Sequence, residues 1–230
     1  MTDEHRNFYG RIKGKTLKPK QVQDLETLLP NLAIAGVTVA DNPDRSLLDI
    51  QGLAAGRPVW LEIGFGGGEH LVHQAKLNPD VCFVGVEPYV NGMAMLLGKL
   101  RRENVSNVRL HLGDARDLMD VLPAGSIDKA FLLYPDPWPK TRHHRRRFVT
   151  REHLDPLARC LRPGAEFRVA SDIADYIRQT LEQVPKAGFD WQANGPTDWR
   201  DPWADWLSTR YEQKAIREGR PQHYLTFHKR

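Results

Sequence analysis

Leu61-Glu62-Ile63-Gly64-Phe65-Gly66-Gly67-Gly68-Glu69 is the stretch on which the fold turns. It ends an apolar run, Val59–Phe65, passes through a glycine turn and enters a segment, Glu69–Lys76, with helical composition. The same alternation recurs outward from it. Apolar runs lie at Cys82–Glu87, Val108–Leu112, Lys129–Tyr134, Glu166–Ala170 and Tyr224–His228. Several are continuously apolar rather than alternating, the pattern of strands covered on both faces. Between them, Gly92–Arg102 places Met93, Leu96, Leu97 and Leu100 on one helical face, and Ile173–Val184 repeats Ile173, Tyr176, Ile177, Leu181 and Val184 at helical spacing, with Asp172 placed to cap its first turn. Strands alternating with helices predict a mostly parallel, doubly wound α/β sheet. Such sheets bind ligands beyond the carboxyl ends of their strands, where the strand order reverses.

The composition agrees. The chain has 230 residues, 40% hydrophobic and 27% charged, which excludes a disordered, collagenous or membrane-spanning chain. The net charge of +4 hides an asymmetry: residues 1–20 hold six bases against Asp3 and Glu4, and residues 140–151 hold six bases and no acid. The rest of the chain is net acidic. Two concentrated basic segments on an acidic body suggest a polyanionic partner, nucleic acid first. Cys82 and Cys160 lack metal or redox spacing and read as buried thiols. The N-terminus has no apolar signal-peptide region, so a cytoplasmic protein is expected. Residues 1–54 read as a basic, partly flexible extension, and residues 55–230 as the α/β domain.

The strand ends carry the chemistry. A dinucleotide fingerprint would need glycines at 64, 66 and 69, but position 69 is Glu. What stands there, an acid followed by Gly-x-Gly-x-Gly, resembles the S-adenosylmethionine loop of Rossmann-like methyltransferases, with Glu62 and Gly64 toward the cofactor. Glu87 ends the second run, where a carboxylate can accept two ribose hydroxyls. Asp114 ends the third, as an acceptor for an adenine amine or as a helix cap. The fourth ends in Tyr134-Pro135-Asp136-Pro137-Trp138-Pro139-Lys140, whose prolines hold Asp136 and Trp138 rigidly over the place where a cofactor methyl would lie. A basic run, Arg142-His143-His144-Arg145-Arg146-Arg147, follows at once, placing phosphate contacts beside the chemistry. The paired histidines lack a third ligand at metal spacing and read as RNA contacts, so no metal is expected. Four of the six tryptophans fall within residues 191–206 and read as the packing of a late insertion.

The proline loop with its basic extension, Glu62–Gly68, Val86-Glu87-Pro88, Ala170-Ser171-Asp172 and Thr209-Arg210-Tyr211-Glu212 together resemble the bacterial tRNA (guanine-N7-)-methyltransferase family over residues 55–228. That resemblance implies a Rossmann-like fold with an antiparallel C-terminal strand. It implies S-adenosylmethionine as cofactor and methyl transfer to N7 of a guanine in the tRNA variable loop, tRNA position 46. It implies Asp136 as catalytic and cofactor-contacting residue, and Asp172 and Glu212 as guanine acceptors. Lys140, Thr209, Arg210 and Tyr211 would complete the substrate site, and Arg142–Arg147 would grip the tRNA backbone. The protein would act as a monomer or homodimer. Two other readings stay open: an exocyclic-amine nucleic-acid methyltransferase, because Asp136-Pro137-Trp138 resembles the Asp-Pro-Pro-aromatic loop of adenine-modifying enzymes, and a non-catalytic, nucleotide-sensing RNA-binding protein.

Overall fold

Continuously apolar runs need cover on both faces, and they find it in one seven-stranded sheet. A computed structural model describes residues 8–230; residues 1–7, part of the basic segment expected to wrap RNA, lie outside the described residues. The strands are β1 (Val59–Ile63), β2 (Cys82–Val86), β3 (Val108–His111), β4 (Ile127–Leu133), β5 (Leu161–Ser171), β6 (Phe189–Trp191) and β7 (His223–Lys229), in spatial order β3-β2-β1-β4-β5-β7-β6. The first five are parallel, and β7 runs antiparallel to both β5 and β6. This is the Rossmann-like sheet with an antiparallel C-terminal strand.

The helices are α1 (Pro19–Thr27), α2 (Leu29–Leu32), α3 (Ile50–Ala54), α4 (Glu69–Leu77), α5 (Val90–Glu103), α6 (Ala115–Val121), α7 (Arg151–Cys160), α8 (Ala174–Gln183), α9 (Thr197–Arg200) and α10 (Arg210–Arg217). One face of the sheet buries Leu61, Val84 and Leu132 with Leu118 and Met119 of α6, Leu157 of α7 and Tyr176 of α8. The other buries Phe83 and Leu110 with Leu71 of α4 and Leu96, Leu97 and Leu100 of α5. Successive residues of β2 therefore go to opposite cores, which is why polar residues are missing from that run. Farther along, Trp203 and Trp206 pack with Phe131 and Tyr224, so these two tryptophans serve packing.

Three expectations change. The boundary at residue 54 is not a break in packing, because Ile34, Val37, Ile50 and Ala54 belong to the same core as β1, and the Ile34 N–H donates to the Leu110 carbonyl. β5 starts before Glu166, and β6 adds a short strand that no apolar run announces. Asp172 does not cap α8; the Ile173 N–H donates to Ser171 Oγ, and the Asp172 carboxylate receives Arg220 instead.

Candidate active site

β1 has β2 on one side and β4 on the other, so the sheet order reverses at its carboxyl end. There lies a cavity of about 1020 Å³ lined by residues that follow β1 (Gly64, Gly66), β2 (Glu87, Pro88, Tyr89), β3 (Asp114, Ala115, Arg116) and β4 (Tyr134, Pro135, Asp136, Trp138). Phe8, Tyr9, Arg11, Arg145, Arg146, Phe148, Glu152, His153 and Tyr211 also line it.

The glycine turn is held by the acid of the next strand. Gly66, at φ +56°, donates its N–H to Glu87 Oε2 at 2.6 Å, and the Tyr89 N–H donates to Oε1 at 3.0 Å. Helix α5 presses so close that a Cβ on Gly92 would meet the Gly66 carbonyl oxygen. Burial raises the Glu87 carboxyl above its ordinary value; the two N–H donors oppose the rise, and the carboxylates of Asp136 and Glu62 add to it. Gly64 stands at φ +69° beside open space, since a Cβ there would meet no protein atom within 4 Å. A glycine edge left open and a buried carboxylate at the next strand end fit the ribose and amino-acid ends of S-adenosylmethionine.

Asp114 caps α6 and also pairs with Arg116: Oδ1 accepts the Arg116 N–H at 2.9 Å and Oδ2 its guanidinium at 2.6 Å. Burial pushes its carboxyl up, but Arg116 outweighs this and holds it below the usual range. Arg116 also donates to Glu152 at 2.8 Å. Asp136 faces the cavity, its carboxyl raised by burial and drawn back in part by the Arg11 cation.

The proline loop is strained and clamped. Tyr134 (φ +48°) and Trp138 (φ +41°) occupy the left-handed region, which costs bulky residues about 1–3 kcal/mol each. The clamp is Arg147, 1% exposed. It donates to the Pro137 carbonyl at 2.8 Å, to Gln179 Oε1 at 2.9 Å and to Asp175 Oδ2 at 2.8 Å. Arg147 is therefore not an RNA contact, because burial and these partners commit it to the loop. Hydrogen bonds from Arg178 and Arg147 hold Asp175 at about 2. His144 lies 3.3 Å from the same carboxylate. His143 rests edge-on against Trp138, and Lys140, Arg142 and Arg145 are exposed.

Several expected contacts lie behind the cavity wall. Glu62 is 3% exposed and hydrogen-bonded to His70 Nδ1 at 2.7 Å. Glu212 is 2% exposed and accepts from Tyr134 and Tyr224 hydroxyls and from Trp206 Nε1. Neither Glu212 nor Asp172 presents a free carboxylate to the cavity, since internal donors occupy both. Thr209 is buried as the cap of α10, its Oγ1 accepting the Glu212 N–H. That cap sets Arg210 on Glu69 and Tyr211 over Gly66. Sequence reasoning misses residues 8–11, Phe148, Glu152 and His153 as parts of the site. Only charge marks the first, and no periodicity marks a loop that folds back across a cavity.

Among the described residues no helix is long and apolar enough to cross a membrane, and no cluster of three His, Cys, Asp or Glu side chains is arranged to hold a metal. Residues 56–225 match a family model described as "Putative methyltransferase". The tRNA (guanine-N(7)-)-methyltransferase of Ruegeria sp. (strain TM1040) is 71% identical over 222 residues, covering 96% of this chain and 87% of that protein. That of Agrobacterium fabrum is 49% identical over 236 residues, covering 100% of both. Among solved structures, the 16S rRNA methyltransferase KamB superposes with a TM-score of 0.57 at 19% identity, covering 80% of this chain and 95% of that one. An antibiotic-related methyltransferase gives 0.56 at 16% identity, covering 84% and 97%. These two likenesses are of fold. Identity of 71% and 49% over nearly the whole length decides the matter: the chain belongs to the tRNA (guanine-N(7)-)-methyltransferase family.

Proposed function

We infer that the cavity holds S-adenosylmethionine against a guanine of tRNA and that the protein catalyses methylation of its N7. The observation that carries this is the convergence of Glu87 and Asp136 on one cavity at the strand-order reversal, in a chain whose relatives are named for that reaction. When bound, the cofactor supplies a methyl group on a positively charged sulfur. Glu87 would accept the ribose hydroxyls, Gly64 and Gly66 would let the backbone lie close to the amino-acid end, and Asp114 would face the adenine edge. The N7 lone pair would form the new bond to that methyl group, the electron pair of the old bond would stay with the departing thioether, and the ring would take the positive charge without losing a proton. No strong base is needed. Asp136 would hydrogen-bond the guanine edge and stabilise the cation that develops there. Alignment of the two reactants can supply about 7–11 kcal/mol, and the clamped proline loop is the part of this chain that provides it. The variable-loop guanine is the target we assign from the likeness of that loop and its basic extension.

The test is a labelled-methyl assay on bulk tRNA with the product nucleoside identified by mass. N7-methylguanosine is expected, and Asp136→Ala should cut turnover by about two orders of magnitude. A methylated exocyclic amine, or no transfer at all, would overturn the reading.

A further inference from the structure

In the cavity lining, Tyr9 from near the N-terminus meets Trp138 of the proline loop and Arg146 of the turn that follows it. The Arg146 guanidinium lies 4.3 Å from the centre of the Tyr9 ring and 5.0 Å from that of Trp138. The two rings are 6.5 Å apart and nearly perpendicular. Among the described residues Arg146 has no acidic partner, and its buried Nε finds no hydrogen-bond acceptor. With no acid beside it among the described residues, this cation is held by the faces of the two rings. Tyr9 is 42% exposed, so the seat is open to exchange. Trp138 stands two residues from Asp136, is forced into the left-handed region, and is kept there by the buried Arg147. Such strain persists only where the surroundings enforce it, which marks Trp138 as a ring whose placement matters.

We propose that the Tyr9–Trp138 pair is the seat for the positively charged N7-methylguanine ring, which Arg146 occupies until the base arrives. The inference rests on the function proposed above. Guanidinium and N7-methylguanine are both planar, delocalised cations, whereas unmodified guanine is neutral. Rings placed to hold the first are suited to the second and discriminate against the third. The same seat favours the charge as it moves from sulfur to the base. Arg146, once displaced, joins Arg145 beside the RNA phosphates.

The experiment compares the affinities of the full-length protein, loaded with S-adenosylhomocysteine, for one tRNA with and without the N7-methyl group. A mildly acid buffer keeps the N1 proton, and hence the charge, on the methylated ring. The methylated tRNA should bind about 2- to 30-fold tighter. Trp138→Leu and Tyr9→Leu should bring the ratio toward one, and Trp138→Phe should retain much of it. Phosphate contacts cancel in the ratio, and Tyr9, exposed and outside any helix or strand, can be changed without unfolding the domain. Equal affinities in the unaltered protein, or a ratio that survives both leucine variants, would overturn the proposal. If the protein puts no methyl group on N7 of tRNA guanine, the underlying function fails instead, and the two failures are distinguished by the nucleoside analysis.

Discussion

Glu87 shows how far one residue can be read from sequence. Its place at the end of an apolar run assigns it to a strand end, and the structure sets it on the cavity with both oxygens already accepting N–H groups. Glu62 and Glu212 carry equal weight in the sequence, yet both lie behind the wall, because burial and partners such as His70 and Trp206 arise only from tertiary packing. Burial raises the Glu87 carboxyl above its ordinary value, so it holds its proton to a higher pH than a free glutamate does and loses it as pH rises through the shifted value. Ribose hydroxyls donate to the ionised form, so cofactor binding opposes protonation. Affinity for S-adenosylhomocysteine should therefore fall as the pH is lowered from about 7.5 to about 5. Glu87→Gln should weaken binding about tenfold or more at the upper end and flatten the profile. Calorimetry across that range checks this, and an unchanged slope in the variant would contradict it.

At the scale of elements the parallel strands are legible because both their faces are buried and their runs stay apolar. The first half of β5 is not, since Arg162-Pro163-Gly164 breaks the run, nor is three-residue β6. The proline loop is legible as rigid, but the source of its shape is hidden: a basic run looks like a solvated face, and nothing in Arg145-Arg146-Arg147 says that the third points inward. The structure makes Arg147 a strut between the loop and α8. Arg147→Ala should lower unfolding stability by about 3 kcal/mol, through poorer packing and unpaired carbonyls. Lys should rescue little, because it lacks the planar fork that spans Pro137 and Asp175. Arg145→Ala, at an exposed position of the same turn, should stay within about 0.5 kcal/mol. Denaturant titration of the three variants separates these outcomes.

Across the whole molecule, acidic and exposed basic side chains concentrate in different places. Carboxylates gather at the strand ends, exposed Arg11 and Arg145 line the cavity, and exposed Lys140 and Arg142 stand in the segment that joins the proline loop to Arg145. Neutralising Arg142 and Arg145 together should weaken tRNA binding and reduce the slope of log affinity against log salt by about 0.7–0.9 for each phosphate that is no longer neutralised. Arg147 variants should leave that slope unchanged, so filter binding at several salt concentrations tests the division between grip and strut. The sheet order has a consequence of another kind. β7, the last strand in the chain, is sixth in space, wedged between β5 and β6. During synthesis, then, β5 keeps one bare edge and Phe167 lacks its neighbour Phe227 until residues 223–229 have left the ribosome. The half of the sheet that carries the glycine turn can assemble early, but the domain closes only when these last strand residues slide into a gap left for them.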